Sequence, residues 1–268
     1  MTRRTLALMM ALLMAAALVL PVMAEEVKEG TPVSGKTLTI SDYFDPPPAI
    51  NGNVLTPSGD DGNMEYMYDR LIEYAPVPET HYAYFLAESY HQDDQNRTVV
   101  VLRENAKWSD GEPITAQDVL ATYHMRFMVN DSVWQYLTSV EALDDRTVAF
   151  TWHSYSDLLP VMAFNLRIDM GHKEYGKWAD EAAKYIPNRV WDETQKIYSV
   201  PADDQQKLID LREDCFKWLP DVTTMRATGP YTCESVNANE IMLKKNPNYW
   251  NADKVLIDNV RIQRYVSA

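Results

Sequence analysis

Apolar positions along the chain change period several times, and each change marks an element. The longest apolar run comes first: residues 6–20 carry no charge, follow Arg3 and Arg4, and stop at Pro21. Residues 37–40 (TLTI) and 98–103 (TVVVLR) are short and β-branched, which predicts strands. Between them Met64, Met67, Tyr68, Leu71 and Ile72 recur at helical spacing, which predicts a helix over 62–74 ended by Pro76 and Pro78. A second helix should start at Thr115, paired with Asp118 in a capping box, and bury Val119, Leu120, Tyr123, Phe127 and Met128. Residues 139–143 and 147–152 flank Asp144, Asp145 and Arg146 in a hairpin pattern. Residues 157–219 read mainly helical, most clearly 203–219, where Leu208, Leu211, Cys215 and Leu219 share one side. After Gly229 and Pro230, strands return at 231–236, 241–244 and 260–265. The sum is a mixed α+β chain without an internal repeat.

The first strand runs into a loop at 42–53 stiffened by Pro46, Pro47 and Pro48, which fix φ and remove backbone donors. A rigid loop leaving a strand can line a pocket, so Tyr43, Phe44 and Asp45 are candidate ligand contacts. Trp134 and Tyr136, beyond the capped helix, are two more. Seven Trp and sixteen Tyr exceed what a small core needs, and such rings can cover peptide side chains or stack on sugars.

The charged start, apolar stretch and small Ala24 together form a secretory signal, with cleavage expected after Ala24. The run is shorter than the roughly 20 apolar residues of a membrane span. No Cys follows the cleavage point, so no lipid anchor is expected there and the mature chain should be periplasmic or extracellular. Residues 25–36, with Gly30, Pro32 and Gly35, read as a flexible leader. Removing the signal takes away two Arg and no acid, moving the formal net charge from −14 to −16. So acidic a surface repels phosphate backbones and anionic lipid, which argues against nucleic-acid and membrane-surface partners. In an oxidising compartment Cys215 and Cys233, the two cysteines, can pair or stay as isolated buried thiols.

GTPVSGKT at 30–37 matches the phosphate-loop spacing, with Lys36 and Thr37 in the phosphate and magnesium positions. That mechanism needs a strand before the glycines and a helix after them, whereas here an export signal precedes and a strand follows, so ATP binding is not expected. The five His, at 81, 91, 124, 153 and 172, lack a paired spacing for metal, and His124 reads as a helix-face residue. Scattered carboxylates, no nucleophile elbow and no activated Cys leave no catalytic set, so neither an enzyme nor a cofactor is expected.

Three stretches resemble the family 5 extracellular solute-binding proteins, the oligopeptide- and dipeptide-binding components of ABC importers. They are LAESY at 86–90 with VVVLRENAKWSDGEPITAQDVLATYHMRF at 99–127, SVEALDDRTVAFTW at 139–152, and ATGPYTCESVNANEIMLKKNPNYW at 227–250, followed by LIDNVRIQRY. The resemblance implies a periplasmic-binding-protein-like fold of the class II, cluster C type. It also implies that residues 37–268 are the first lobe, truncated near the hinge, with the second lobe missing. The implied role is capture of short peptides, as a monomer, for an ABC permease in the membrane. Oligosaccharide binding, an inactive truncated product and an exported hydrolase are the alternatives. Within the motifs, Trp108 anchors, Asp110 and Gly111 turn, Pro113 stiffens and Thr115 caps, so the motifs themselves read as scaffold.

Overall fold

Two four-stranded sheets organise the residues described by the computed structural model, which are 35–56, 62–75, 81–95 and 97–265. The export signal and most of the leader lie outside the described residues, as do Gly30 and its followers up to residue 34. The first sheet has the order β1 (Thr37–Asp42), β12 (Asn259–Arg264), β11 (Glu240–Lys245), β10 (Tyr231–Val236). Its β1–β12 pair is parallel, from Thr37 opposite Asn259 to Asp42 opposite Arg264, and its other pairs are antiparallel. The second sheet is antiparallel throughout, in the order β4 (Ala87–Gln92), β5 (Arg97–Leu102), β7 (Thr147–Trp152), β6 (Leu137–Asp144). Two hairpins stand apart from the sheets, β2 (Ile72–Ala75) with β3 (His81–Tyr84) and β8 (Val190–Asp192) with β9 (Ile197–Ser199). Four helices complete the described chain: α1 (Ala116–Met128), α2 (Leu158–Phe164), α3 (His172–Ala183) and α4 (Ala202–Phe216).

Helix α1 starts where the sequence places it. The Thr115 amide and hydroxyl both donate to Asp118 Oδ2, at 2.9 and 3.0 Å, so the first turn keeps its polar groups partnered. Val119, Tyr123, Phe127 and Met128 are buried as expected, while Leu120 is partly exposed. The helix lies on β6, β7 and α3, and its Tyr123 ring meets Phe150 of β7 edge-on at 5.0 Å. Phe150 in turn meets Phe164 of α2 at 4.9 Å. Each of these three fully buried rings contributes about 1.5–3 kcal/mol by leaving water. The Tyr123 hydroxyl keeps a partner inside the core by donating to the Ala163 carbonyl at 2.8 Å.

Two expectations are corrected, and the two cysteines take one of the alternatives left open. The helix expected over 62–74 is a 3-10 turn, Gly62–Met67, followed by an extended segment that becomes β2. Its carbonyls are claimed from elsewhere: Gly229 donates to Met67, Ile168 to Asp69, Leu86 to Arg70, and Phe85 and Ala87 to Leu71. An i to i+4 ladder cannot form once those acceptors are taken. The region 157–219 holds three helices but also the β8–β9 hairpin, and α4 ends at Phe216. There Asn53 Nδ2 donates to the Cys215 and Trp218 carbonyls, at 2.8 and 3.0 Å, and Pro220 cannot continue the helix. Leu219 thus lies beyond the helical stripe and is exposed. Cys215 and Cys233 are both free and buried, the second of the two alternatives. Cys215 faces Asn53 at the end of α4, whereas Cys233 sits on β10 above the 3-10 turn Val222–Thr224, so each thiol belongs to a different packing unit. Burial pushes both up, to about 11 and about 12, which keeps them as unreactive thiols.

Candidate ligand-binding face

The parallel pair β1–β12 brings two chain segments to one edge with their carboxyl ends together, the place where open sheets with parallel strands present ligand contacts. Tyr265 N–H donates to the Asp42 carbonyl at 3.0 Å, so the register continues one residue past the strands. Tyr43 and Tyr265 follow, their rings 6.3 Å apart and tilted by 57°, each 52% exposed. Arg264 Nε donates to the Phe44 carbonyl at 2.7 Å, which sets its guanidinium 5.6 Å from the Tyr43 ring. The Tyr43 hydroxyl donates to Asp45 Oδ1 at 3.1 Å. Two rings, a cation and a carboxylate therefore share a small exposed face.

The loop behind this face is stiff. Ala49 N–H closes a turn on the Pro46 carbonyl at 3.0 Å, and Asn51 Nδ2 donates to the Ala49 carbonyl and to Thr56 Oγ1. Fully buried Asn53 ties the loop to α4 through the carbonyls named above, and Val54 N–H donates to the Tyr175 hydroxyl at 3.1 Å. Phe44 points the other way from its neighbours and is fully buried, so it anchors the loop in the core rather than facing solvent. Trp134 is also a core residue, 2% exposed, its indole donating to the Tyr123 carbonyl at 2.7 Å. Tyr136 is exposed beside Leu159 and Met162. These two belong to the second sheet's layer, so the structure groups Tyr43 with Asp45 and leaves Trp134 and Tyr136 elsewhere. The sequence reading omitted Arg264 and Tyr265, which only the parallel pairing brings to Tyr43.

The motif residues converge on a different place. Trp108 is fully buried with the Arg226 guanidinium 4.3 Å from its ring, and a Cβ at Gly171 would collide with that same ring. Arg226 grips Glu174 with two bonds of 2.6 and 2.7 Å and reaches Glu112 at 3.0 Å. Gly111 holds φ +90°, which the turn from Trp108 to Pro113 needs and a side chain resists. Ser109 N–H donates to the Ala227 carbonyl, Asn248 Nδ2 donates to the Ser109 carbonyl, and Ala116 N–H donates to the Asp145 carbonyl. All three motif stretches thus lock onto one another. Asp69 joins the same seam, accepting from the Trp250 indole at 3.1 Å, with burial raising its carboxyl to about 6.

His124 lies on α1 toward α3, and burial lowers it to about 4, so it is neutral at physiological pH. Of the phosphate-loop pattern, Lys36 and Thr37 are described. Thr37 opens a strand, not a helix. Among the described residues, no three His, Cys, Asp or Glu side chains converge as metal ligands, and no helix is long and apolar enough to cross a membrane.

Comparison with known proteins agrees with this architecture. The family model for bacterial extracellular solute-binding proteins, family 5, matches residues 81–268. The oligopeptide-binding protein AliB of Streptococcus pneumoniae is 26% identical over 197 residues, covering 61% of this chain and 24% of AliB. A periplasmic oligopeptide-binding protein of Thermotoga maritima, solved with mannohexaose, superposes with a TM-score of 0.54 at 22% identity, over 88% of this chain and 39% of its own. The Listeria monocytogenes protein OppA, solved with peptide, gives 0.56 at 18% identity, over 87% and 43%. The chain spans about a quarter of the length of that curated relative and about two fifths of the solved ones. With more than half of its residues matched, this chain belongs to the family 5 bacterial extracellular solute-binding proteins.

Proposed function

We propose that this chain captures a short peptide outside the cytoplasmic membrane, as a monomer, and delivers it to an ABC permease. The observation that carries the reading is the half-exposed Tyr43–Tyr265 pair beside Arg264 and Asp45 on a rigid loop. A peptide offers opposite charges at its ends and apolar side chains between them, which a cation, a carboxylate and two rings can meet. Export through residues 1–24, with cleavage after Ala24, belongs to the same reading, as does the role of residues 37–268 as one lobe of a two-lobed receptor. The names of AliB and OppA as oligopeptide-binding proteins lend it support. No nucleotide enters the reading on this chain, since the permease complex would supply the energy.

A second reading, an oligosaccharide, rests on the same ring pair and on the mannohexaose held by the Thermotoga protein. Equilibrium dialysis of the full chain against a mixed di- to hexapeptide pool and a manno-oligosaccharide pool, read by mass spectrometry, separates the two. Retained peptides that are lost in Tyr43→Ala are the expected result. Retention of sugars alone transfers the site to the second reading, and cleaved ligand replaces both with a hydrolase.

A further inference from the structure

Away from the Tyr43 face, a cleft of about 410 Å³ opens between α1, α4 and the β8–β9 hairpin. Its volume falls within the range of small-molecule sites. One wall is apolar, from Leu208 and Ile209 of α4, and another is aromatic, from Trp134 and Tyr198. Tyr198 is held in place: its backbone N–H donates to Gln135 Oε1 at 2.8 Å, and its hydroxyl pairs with His153 Nδ1 at 2.8 Å.

The charge in this cleft opposes that of the protein. Arg189 and Arg212 line it, and no Asp or Glu does among the described residues, although the chain carries a formal charge of −14. Arg189 is half-buried and stacks on Trp134 and Tyr198, at 4.9 and 4.6 Å. Its three nitrogens donate to the carbonyls of Ile186, Trp134 and Thr138, which takes three of the five N–H groups and none of the charge. Burial accordingly lowers its pKa, as expected of a cation without a carboxylate partner. The Arg212 guanidinium lies 6.0 Å from the Phe216 ring, and no carboxylate or carbonyl among the described residues accepts from it. A half-buried cation with no carboxylate partner among the described residues is unusual, because ion pairing is the ordinary way to offset its lost hydration.

We propose that this cleft is a second ligand site, taking a small organic monocarboxylate with an apolar body. The carboxylate would sit between Arg212 and the two unused N–H groups of Arg189, and the body would lie along Leu208, Ile209 and the Trp134 ring. Such an anion supplies the charge the cleft lacks while burying its apolar part. The site is independent of the peptide reading, because it shares no residue with the face at Tyr43.

The test uses the full chain with 3-phenylpropionate as probe and 3-phenylpropionamide as its neutral match, followed through the tryptophan indole signals in proton–nitrogen correlation spectra. The acid should shift the Trp134 indole saturably at millimolar concentration, and the amide should not. Arg212→Gln, at a partly exposed position without hydrogen bonds among the described residues, should weaken the acid by about tenfold or more. Ile209→Trp, which fills the apolar wall, should abolish the shift, and Tyr43→Ala should leave it unchanged. Equal binding of acid and amide, unaltered affinity in Arg212→Gln, or no saturable shift overturns the proposal. Loss of peptide retention in Tyr43→Ala alongside intact phenylpropionate binding shows the two sites failing separately.

Discussion

The seam around Trp108 and the face around Tyr43 use the same side-chain types to opposite ends. Both set an arginine against an aromatic ring: Arg226 lies 4.3 Å from Trp108, and Arg264 lies 5.6 Å from Tyr43. At the seam the ring is fully buried and the cation is gripped by Glu174 and Glu112. At the face both rings stand half in water, and the arginine is fixed through a backbone carbonyl, which leaves its charge uncancelled. The seam is a closed network that specifies one packing, whereas the face is rigid and incomplete. The contrast sets residues that fix the packing apart from the half-exposed residues that the proposed function uses.

Breaking the seam should have the largest effect. Trp108→Ala should remove about 3–5 kcal/mol of stability, read as a lower urea midpoint with an unchanged slope. Arg226→Met should cost about 3 kcal/mol by stranding the largely buried Glu174 carboxylate. Adding Glu174→Gln should recover part of that loss, and a strictly additive double variant would dissolve the claim of a coupled network.

Asp69 sharpens the comparison through pH. Burial raises its carboxyl from 3.8 to about 6, so the folded state holds the proton more tightly than the unfolded state does. Its contribution is therefore most favourable below 3.8 and is lost as pH rises through about 6. Asp69→Asn should be more stable than the parent at pH 7 by up to about 3 kcal/mol, with the gap closing toward pH 4 in paired denaturant titrations. A gap that widens on acidification contradicts this assignment. The smallest stability effect belongs to the face, where Tyr43→Ala should change unfolding free energy by about 0.5 kcal/mol or less while peptide retention falls about tenfold.

Local chemistry was legible in the sequence where neighbours along the chain decide the structure. The Thr115–Asp118 cap, the hairpin at Asp144 to Arg146 and the strands after Pro230 all stand where their residues place them. Residues 62–74 mislead because spacing registers side chains only, whereas the carbonyls of Met67, Asp69, Arg70 and Leu71 bond to donors up to 162 positions away, at Gly229. Three prolines mark the loop after β1 as stiff, yet alternation along an extended backbone sends Tyr43 outward and Phe44 inward, a distinction that composition does not carry. Arg264 and Tyr265 could not be linked to Tyr43 at all, since parallel pairing leaves no local mark. Composition marks Trp134 only as a ring, whereas its packing against Phe127 and its indole bond to the Tyr123 carbonyl, which place it in the core, are tertiary.

Among the described residues strand β1 has a single neighbour in its sheet, and that neighbour begins at Asn259. Joining Thr37 to Asn259 closes a loop of more than two hundred residues, an entropic cost of about 5 kcal/mol before any contact is gained. No other strand of the described fold pairs with β1, so a chain emerging from its amino end lacks this partner until residues 259–264 have followed. The Tyr43–Tyr265 face therefore exists only once residues 259–265 have reached β1, so its two rings report directly on the longest-range pairing of the described fold.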